Sequence, residues 1–427
     1  MLDLGYIRDH PEVVKAAVRD KGEAVDVDAI LDLDRRRREF IVETETLRSR
    51  RNEASRRVAE LKGRGEDASA LVAQTRQVGQ RIQALDRDLA RITEELDREL
   101  LRVPNVPMDD VPRGVGPEDN RLVRTWGEVP TFDFEPKTHW DLGAGLGLLD
   151  FERATKVAGP HFALFTGAGA RLVRGLINFM LDLHTTQHGY TEVFPPFLVN
   201  RPAMTATGQL PKLEDDMYVL PRDDLFLVPT AEVPVTNLHR GEILSHLELP
   251  ISYTAYTACF RREAGSYGRD TRGLVRVHQF DKVELLKFVH PDTSLGELER
   301  LTGHAEAVVQ RLGLPYRVMV LSTGELSFAG AKCYDIEVWA PGVKRWLEVS
   351  SCSTFGDFQA RRANIRFRDR DGKIRFVHTL NGSGTALPRL IVALLETGQR
   401  ADGSVALPEA LHPYLGGLTT LGPRAPS

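Results

Sequence analysis

Cysteine is scarce: Cys259, Cys333 and Cys352 are the only three in 427 residues, and no two stand at CxxC spacing. An odd count without pairing argues against a disulfide framework and against a cysteine-rich zinc site, and it suits a reducing compartment. No GxxxxGKS or GxxxxGKT run occurs, so a P-loop is missing, and no HExxH pairs histidines at metal spacing. Gly143, Gly145 and Gly147 lack the spacing and the surrounding βαβ unit of a dinucleotide fingerprint. No stretch approaches 18 uninterrupted apolar residues, and the opening MLDLGYIRDHPEVVK has no apolar signal core. A soluble, cytoplasmic protein without a membrane span is the expectation. Neither sign of charge dominates either. Against 60 Asp and Glu stand 56 Lys and Arg, a net of −4 that by itself speaks against a nucleic-acid partner.

What is present changes that last reading. Leu33, Phe40, Leu47, Ala54 and Leu61 recur every seven residues, with Arg37, Thr44, Arg51 and Val58 on the alternate seam. After Lys62-Gly63-Arg64-Gly65-Glu66-Asp67 two rows resume: Leu71, Val78, Leu85 and Ile92, then Thr75, Ile82, Leu89 and Leu96. This predicts two helices of roughly 35 residues packed as an antiparallel coiled coil within residues 27–102. Charge along the hairpin is polarised. Residues 48–81 hold nine basic against four acidic side chains, a balance of +5, whereas the other end is net acidic. A cationic tip suits a phosphate backbone. Arg50, Arg51, Arg56 and Arg57 are its candidate contacts.

Residues 103–120, rich in Pro and Gly, read as a linker. From 121 to 421, short β-like runs (Leu225–Val228, Val275–Phe280, Tyr316–Val320, Cys333–Trp339, Trp346–Ser350) mix with amphipathic helices at Arg171–His188 and Ser294–Leu312. Uneven connections without regular strand–helix alternation favour an α+β fold on an antiparallel sheet flanked by helices. The tail LGGLTTLGPRAPS reads as frayed, with 422–427 outside the domain.

The chemistry concentrates after Thr257. A β-like run ends in Arg261-Arg262-Glu263, passes a glycine-rich loop, and returns through Arg276-Val277-His278 to Phe280 and Glu284. Period two puts Arg276, His278, Phe280, Lys282 and Glu284 on one face. Cation, ring and carboxylate together suit a phosphate, a flat base and an ammonium group. This stretch resembles motif 2 of class II aminoacyl-tRNA synthetases, in the form found in seryl-tRNA synthetases of the bacterial type. The resemblance spans nearly the whole chain. The N-terminal hairpin, residues 1–102, is similar to that family's tRNA-binding arm. Arg171–His188 with Tyr190-Thr-Glu-Val-Phe-Pro-Pro196 resembles motif 1, a dimer-forming helix and strand. Pro229-Thr230-Ala231-Glu232 resembles a serine-binding signature, and Asn381 to Arg389 resembles motif 3. One departure stands out: Leu387-Pro388 replaces a glycine that many members carry before the motif 3 arginine, which puts the local backbone path in question.

The resemblance implies an enzyme that activates L-serine with ATP and loads it onto tRNA(Ser), and onto tRNA(Sec) where present. It implies catalytic arginines Arg261 and Arg389. It implies a serine pocket of Thr230, Ala231, Glu232, Arg261, Glu284, Asn381 and Ser383. For ATP it implies Arg261, Arg262, Glu263, Arg276, Val277, Phe280, Glu348, Val349, Ser350, Ser351 and Arg389. Glu348 and Ser351 would hold Mg²⁺, which favours such oxygen ligands alongside phosphates; no zinc is expected. In the strand from Trp346, Glu348 and Ser350 share a face, and Ser351 joins Glu348 only if the strand bends. Which of Glu232 and Glu284 meets the serine ammonium stays open. A homodimer through the motif 1 region is expected as well.

Overall fold

The computed structural model describes residues 1–264 and 272–422. The chain divides into two compact units, Met1–Pro104 and Asn105–Ser427. The first holds α1 (Leu4–Asp9), α2 (Pro11–Asp20), α3 (Val27–Gly63) and α4 (Ser69–Leu100). The heptad expectation is met by α3 and α4, which pack antiparallel; at 1.5 Å per residue the longer spans about 55 Å. Asp26 caps α3 by accepting from the Ala29 N–H, and Asp67 accepts from the Ser69 N–H at the start of α4. Burial follows the apolar rows near the base, at Ile30, Leu33, Ile82, Leu85, Ile92 and Leu96. Toward the tip the seam is only half-buried. There Arg48 bonds Asp86 at 2.9 Å and Arg81 bonds Glu43, tying the helices together through exposed ion pairs.

The second unit is built on an eight-stranded sheet. In spatial order it runs β1 (Arg121–Trp126), β9 (Tyr316–Val320), β10 (Lys332–Ala340), β11 (Arg345–Thr354), β14 (His378–Ala386), β8 (Gln279–Val289), β7 (Ile251–Phe260) and β2 (Thr191–Glu192). Every pairing is antiparallel except β2 with β7. Three small sheets add β3 (Leu198–Asn200), β4 (Val219–Leu220) and β5 (Leu225–Leu227), then β6 (Ile243–Ser245), β12 (Arg366–Arg368) and β13 (Ile374–Phe376), and lastly β15 (Val405–Ala406) with β16 (Thr420–Leu421). Helices α5 (His139–Gly145), α6 (Phe151–Ala158), α7 (Ala168–Gln187), α8 (Arg201–Thr207), α9 (Glu232–Thr236), α10 (Ser294–Arg311), α11 (Phe358–Ala363) and α12 (Leu387–Thr397) surround them. No helix among the described residues is long and apolar enough to cross a membrane.

Alternation along β8 shows how the sheet divides its labour. Val283, Leu285 and Val289 enter the large core shared with α7, α10 and α12. Leu286 and Phe288, of the opposite parity, pack with Ala231, Val235 and Ala360 from α9, its preceding turn and α11. Phe280, Lys282 and Glu284 continue that second face into an open cavity. A core on one side and a polar cleft on the other come from a single period-two strand.

Three expectations need correction. The strand read at Val275–Phe280 begins only at Gln279. Upstream, the backbone groups are committed elsewhere: the Leu274 N–H donates to His139 Nε2, and the Val275 carbonyl accepts from Arg389. The C-terminal stretch is not frayed throughout, because Leu421 is buried and β16 pairs with β15; residues 423–427 lie outside the described ones. The stretch 103–120 contains only a single 3-10 turn, Pro117–Asp119, yet from Asn105 onward it does not hang free. The Asn105 amide donates to the carbonyls of Ala329 and Phe355, and the Met108 N–H to that of Ala331. Most of the glycine-rich loop of motif 2, residues 265–271, also lies outside the described residues.

Candidate active site

The cavity on the polar side of the sheet measures about 520 Å³. It gathers Thr230, Glu232, Arg261, Glu263, Arg276, Val277, Phe280, Glu284, Glu348, Ser351, Asn381, Ser383 and Arg389. These come from five separate parts of the chain; antiparallel pairing of β7, β8, β14 and β11 brings four of them together, and the turn into α9 adds Thr230 and Glu232. Four candidates do not line it. Ala231 and Val349 are buried in core clusters. The Arg262 guanidinium turns away to the Asp215 carbonyl, and the Ser350 hydroxyl donates to the Ser383 carbonyl at 2.6 Å. None of those four side chains lines the cavity.

A β-bulge settles the phase of β11. Ile336 faces Ser350 while Glu337 faces Glu348, so Val349 is the extra residue. The inserted residue reverses the alternation, and Glu348 and Ser351 both line the cavity. The same device recurs at Gly384, where β14 slips against β8 between Ser383 and Thr385. Past Ala386, Leu387-Pro388 does not disturb motif 3. Pro388 sits in the first turn of α12, where a helix needs no backbone donor, and Arg389 follows directly.

At one end of the cavity, Arg261 lies with its guanidinium 5.1 Å from the Phe280 ring centroid and donates through Nε to the Pro229 carbonyl. Glu263 adopts a left-handed φ of 52°, and its carboxylate bonds Arg276 at 2.9 Å. Arg389 donates to the Val275 carbonyl and to both the carbonyl and carboxylate of Glu348, each Glu348 contact at 3.1 Å. Beside it Asp335 is buried on β10, opposite Ser351; burial, then the Glu348 charge, pushes its carboxyl well above the usual range.

The other end is a buried polar knot. Lys282 Nζ stands 2.6 Å from Glu284 Oε2 and 2.7 Å from Thr230 Oγ1. The Thr230 hydroxyl donates to Glu284 Oε2 and accepts from the Glu232 N–H. Glu284 Oε1 is buried without a partner among the described residues. Glu232 accepts from Gln359, whose other contacts are the Thr207 carbonyl and the Thr379 hydroxyl. Burial and the neighbouring Glu284 raise the Glu232 carboxyl to about 7.

Three residues that motif reading left out support this arrangement. Lys282 was visible in the period-two face but had no role there. Gln359 had no local signal, since it arrives on α11 from far along the chain. His139, from α5, is buried; its Nε2 accepts the Leu274 N–H, so Nδ1 carries the proton and donates to Glu396 Oε1 at 2.9 Å. Glu396 Oε2 accepts in turn from the N–H groups of Gly342 and Val343. Gly273 is required at this crossing: its φ is +72°, and a Cβ there would lie 2.2 Å from His139 Nε2. The His139–Glu396 pair thus pins the returning arm that carries Arg276 and Val277.

An antiparallel sheet that brings one arginine from a strand end and another from the first turn of the following helix to one cleft defines a class II aminoacyl-tRNA synthetase. Family models agree: the seryl-tRNA synthetase N-terminal domain matches residues 1–107, and the tRNA synthetase class II core domain (G, H, P, S and T) matches 215–398. The chain is 56% identical to the serine–tRNA ligase of Geobacter sulfurreducens over 99% of its own length and 100% of the relative's. To that of Listeria welshimeri it is 54% identical, with 98% of each chain covered. The crystal structure of seryl-tRNA synthetase from Pyrococcus horikoshii complexed with ATP superposes with a TM-score of 0.95 at 38% identity, covering all of both chains. The chain belongs to the serine–tRNA ligase family.

Proposed function

We propose that this protein activates L-serine with ATP and transfers the seryl group to the 3′ end of tRNA(Ser), and of tRNA(Sec) in a cell that makes it. A serine carboxylate oxygen attacks the α-phosphorus, the bond from that phosphorus to the β-bridging oxygen breaks, and pyrophosphate leaves. A terminal tRNA hydroxyl then attacks the seryl carbonyl carbon, and AMP leaves. The carboxylate is already a nucleophile, so alignment and charge neutralisation are the tasks left to the protein. Arg261 suits the α-phosphate and the serine carboxylate, Arg389 the outer phosphates, Phe280 the adenine face, and Glu263 its edge. Glu232, Glu284, Asn381 and Ser383 suit the amino acid.

The observation that carries this reading is one cleft with two unlike ends, cations beside an aromatic ring at one and buried carboxylates at the other. A non-catalytic RNA-binding relative would have no use for both ends. Mg²⁺ fits the site by donor chemistry: Glu348, Ser351 and Asp335 offer oxygen alone, and the Asp335–Glu348 repulsion is what a cation relieves. Glu348 and Ser351 would hold it, and its chemistry there is to neutralise phosphate charge. A homodimer through α7 and β2 is part of the same proposal; Phe194, beside β2 and 76% exposed, suits such a contact.

Serine-dependent ATP–pyrophosphate exchange, with alanine, threonine and glycine as competitors, tests the proposal. Exchange with serine well above the other three is expected. Its absence would sink the reading.

A further inference from the structure

Lys282 is a buried cation in the amino-acid end of the cleft, and serine activation as proposed above gives it no task. It is 6% exposed and sits two residues before Glu284, so ammonium and carboxylate share one face of β8. Its contacts leave the knot with a definite set of free valences. Thr230 Oγ1 donates once and accepts twice, from Lys282 and from the Glu232 N–H, so the hydroxyl has nothing left for a ligand. Glu284 spends Oε2 on Lys282 and Thr230 and keeps Oε1 buried and unpartnered. Glu232 has neutral Gln359 on one oxygen and forms no ion pair among the described residues.

The two carboxylates are therefore unequal. Glu284 is neutralised at 2.6 Å, and its open oxygen still needs a donor. A neutral hydroxyl meets that need without adding charge. A second ammonium at the same oxygen would stand near Lys282 in a site sheltered from water, where like charges repel strongly. Glu232, whose direct side-chain partner is neutral Gln359, remains for the amino group common to every amino acid.

We propose that Lys282 is a specificity-determining residue of the amino-acid pocket: by neutralising Glu284 it makes the side-chain subsite take a hydroxyl and refuse an ammonium. The class of ligand refused is the β-amine isostere of serine, L-2,3-diaminopropionate in its doubly protonated form. This rests on the serine activation proposed above, and the experiment separates the two.

Pyrophosphate exchange is measured on the full-length protein and on Lys282→Met and Lys282→Arg, with serine and with 2,3-diaminopropionate. The wild type is expected to favour serine on the order of a hundredfold or more in kcat/KM. Lys282→Met should shrink or invert that ratio, and Lys282→Arg should restore it. Equal losses for both substrates in Lys282→Met, with the ratio unchanged, would reduce Lys282 to a structural prop and overturn the proposal. A measurement on the wild type alone covers a variant that fails to fold. Inhibition of serine exchange by 2,3-diaminopropionate is compared with inhibition by neutral L-2-aminobutyrate. The diamine should inhibit more weakly; tighter inhibition would mean that Glu284 outweighs Lys282, and the proposal fails. A wild type inactive with serine would refute serine activation, whereas an unchanged ratio in a serine-active enzyme refutes only the role of Lys282.

Discussion

Glu232 shows how one residue couples binding to stability. Its carboxyl rises from 4.5 to about 7 because burial and Glu284 both disfavour the charged form. The folded protein therefore holds a proton that the unfolded chain has released. Stability from this group is present below pH 4.5 and is lost as the pH rises toward 7. The full swing is about 3 kcal/mol. Glu232→Gln keeps an acceptor for Gln359 and never ionises. Its melting temperature should match the wild type in acid and exceed it at pH 8, in the absence of ligand; equal curves at both pH values would contradict the raised carboxyl. If Glu232 holds the serine amino group as proposed, the same change should raise the KM for serine, and an unchanged KM would remove Glu232 from that role. At this scale the motifs made most of the site legible. Residue type and spacing singled out Arg261, Phe280 and Glu284, and the resemblance to motif 3 singled out Arg389; each brings its own side chain to the cavity. Gln359 and His139 stayed hidden because they reach Glu232 and Leu274 from elements far away in the chain, and nothing local distinguishes a buried relay glutamine from a surface one.

Between α7, α10 and β2 lies a second titrating group, this time of histidines. His188 and His304 stack with centroids 4.1 Å apart, His184 Nδ1 meets His188 Nδ1 at 2.9 Å, and His304 Nδ1 meets the Tyr190 hydroxyl. Burial, and then the neighbouring histidines, lowers His184 to about 3 and His304 to about 4. These rings stay neutral in the fold, while the unfolded chain takes up protons below its ordinary 6.5. Their contribution is complete above pH 6.5 and is lost as the pH falls toward 4. Glu232 acts in the opposite direction over this range, so the informative quantity is a difference between variants. His304→Phe retains a ring for His188 and cannot be protonated. Between pH 7 and pH 5 its melting temperature should fall less than that of the wild type, and an identical fall would show that the cluster does not titrate with unfolding. Elements themselves were well legible where a period was long, as in α3, α4, α7 and α10. Strand phase was not. The bulge at Val349 places Glu348 and Ser351 together, and nothing in the string EVSS announces an extra residue. The stretch 274–278 has strand-like residues but spends backbone groups on His139, Arg389 and His161 instead of a regular ladder.

For the molecule as a whole, net charge is the quantity that misled most. A total of −4 conceals a hairpin tip of +5, and only the window count exposes it. Within that tip the structure separates two kinds of arginine. Arg48 and Arg81 are used across the hairpin by Asp86 and Glu43. Arg50, Arg51, Arg56 and Arg57 form no ion pair among the described residues, and all but Arg51 are exposed. Unpaired exposed cations on a helix surface repel one another unless a polyanion covers them. If tRNA is that polyanion, each contact with phosphate displaces counterions and steepens the salt dependence of binding. Neutralising all four to Gln should therefore flatten the slope of log K against log salt by roughly 3. Serine-dependent pyrophosphate exchange, which needs no tRNA, should be unchanged in the same variant. Changing Arg48 and Arg81 instead should lower the thermal stability of the hairpin and alter the slope little. The pair of experiments separates arginines that bind from arginines that hold. A slope identical to the wild type in the fourfold variant would return Arg50, Arg51, Arg56 and Arg57 to ordinary solvated surface, and the +5 tip would then need another explanation.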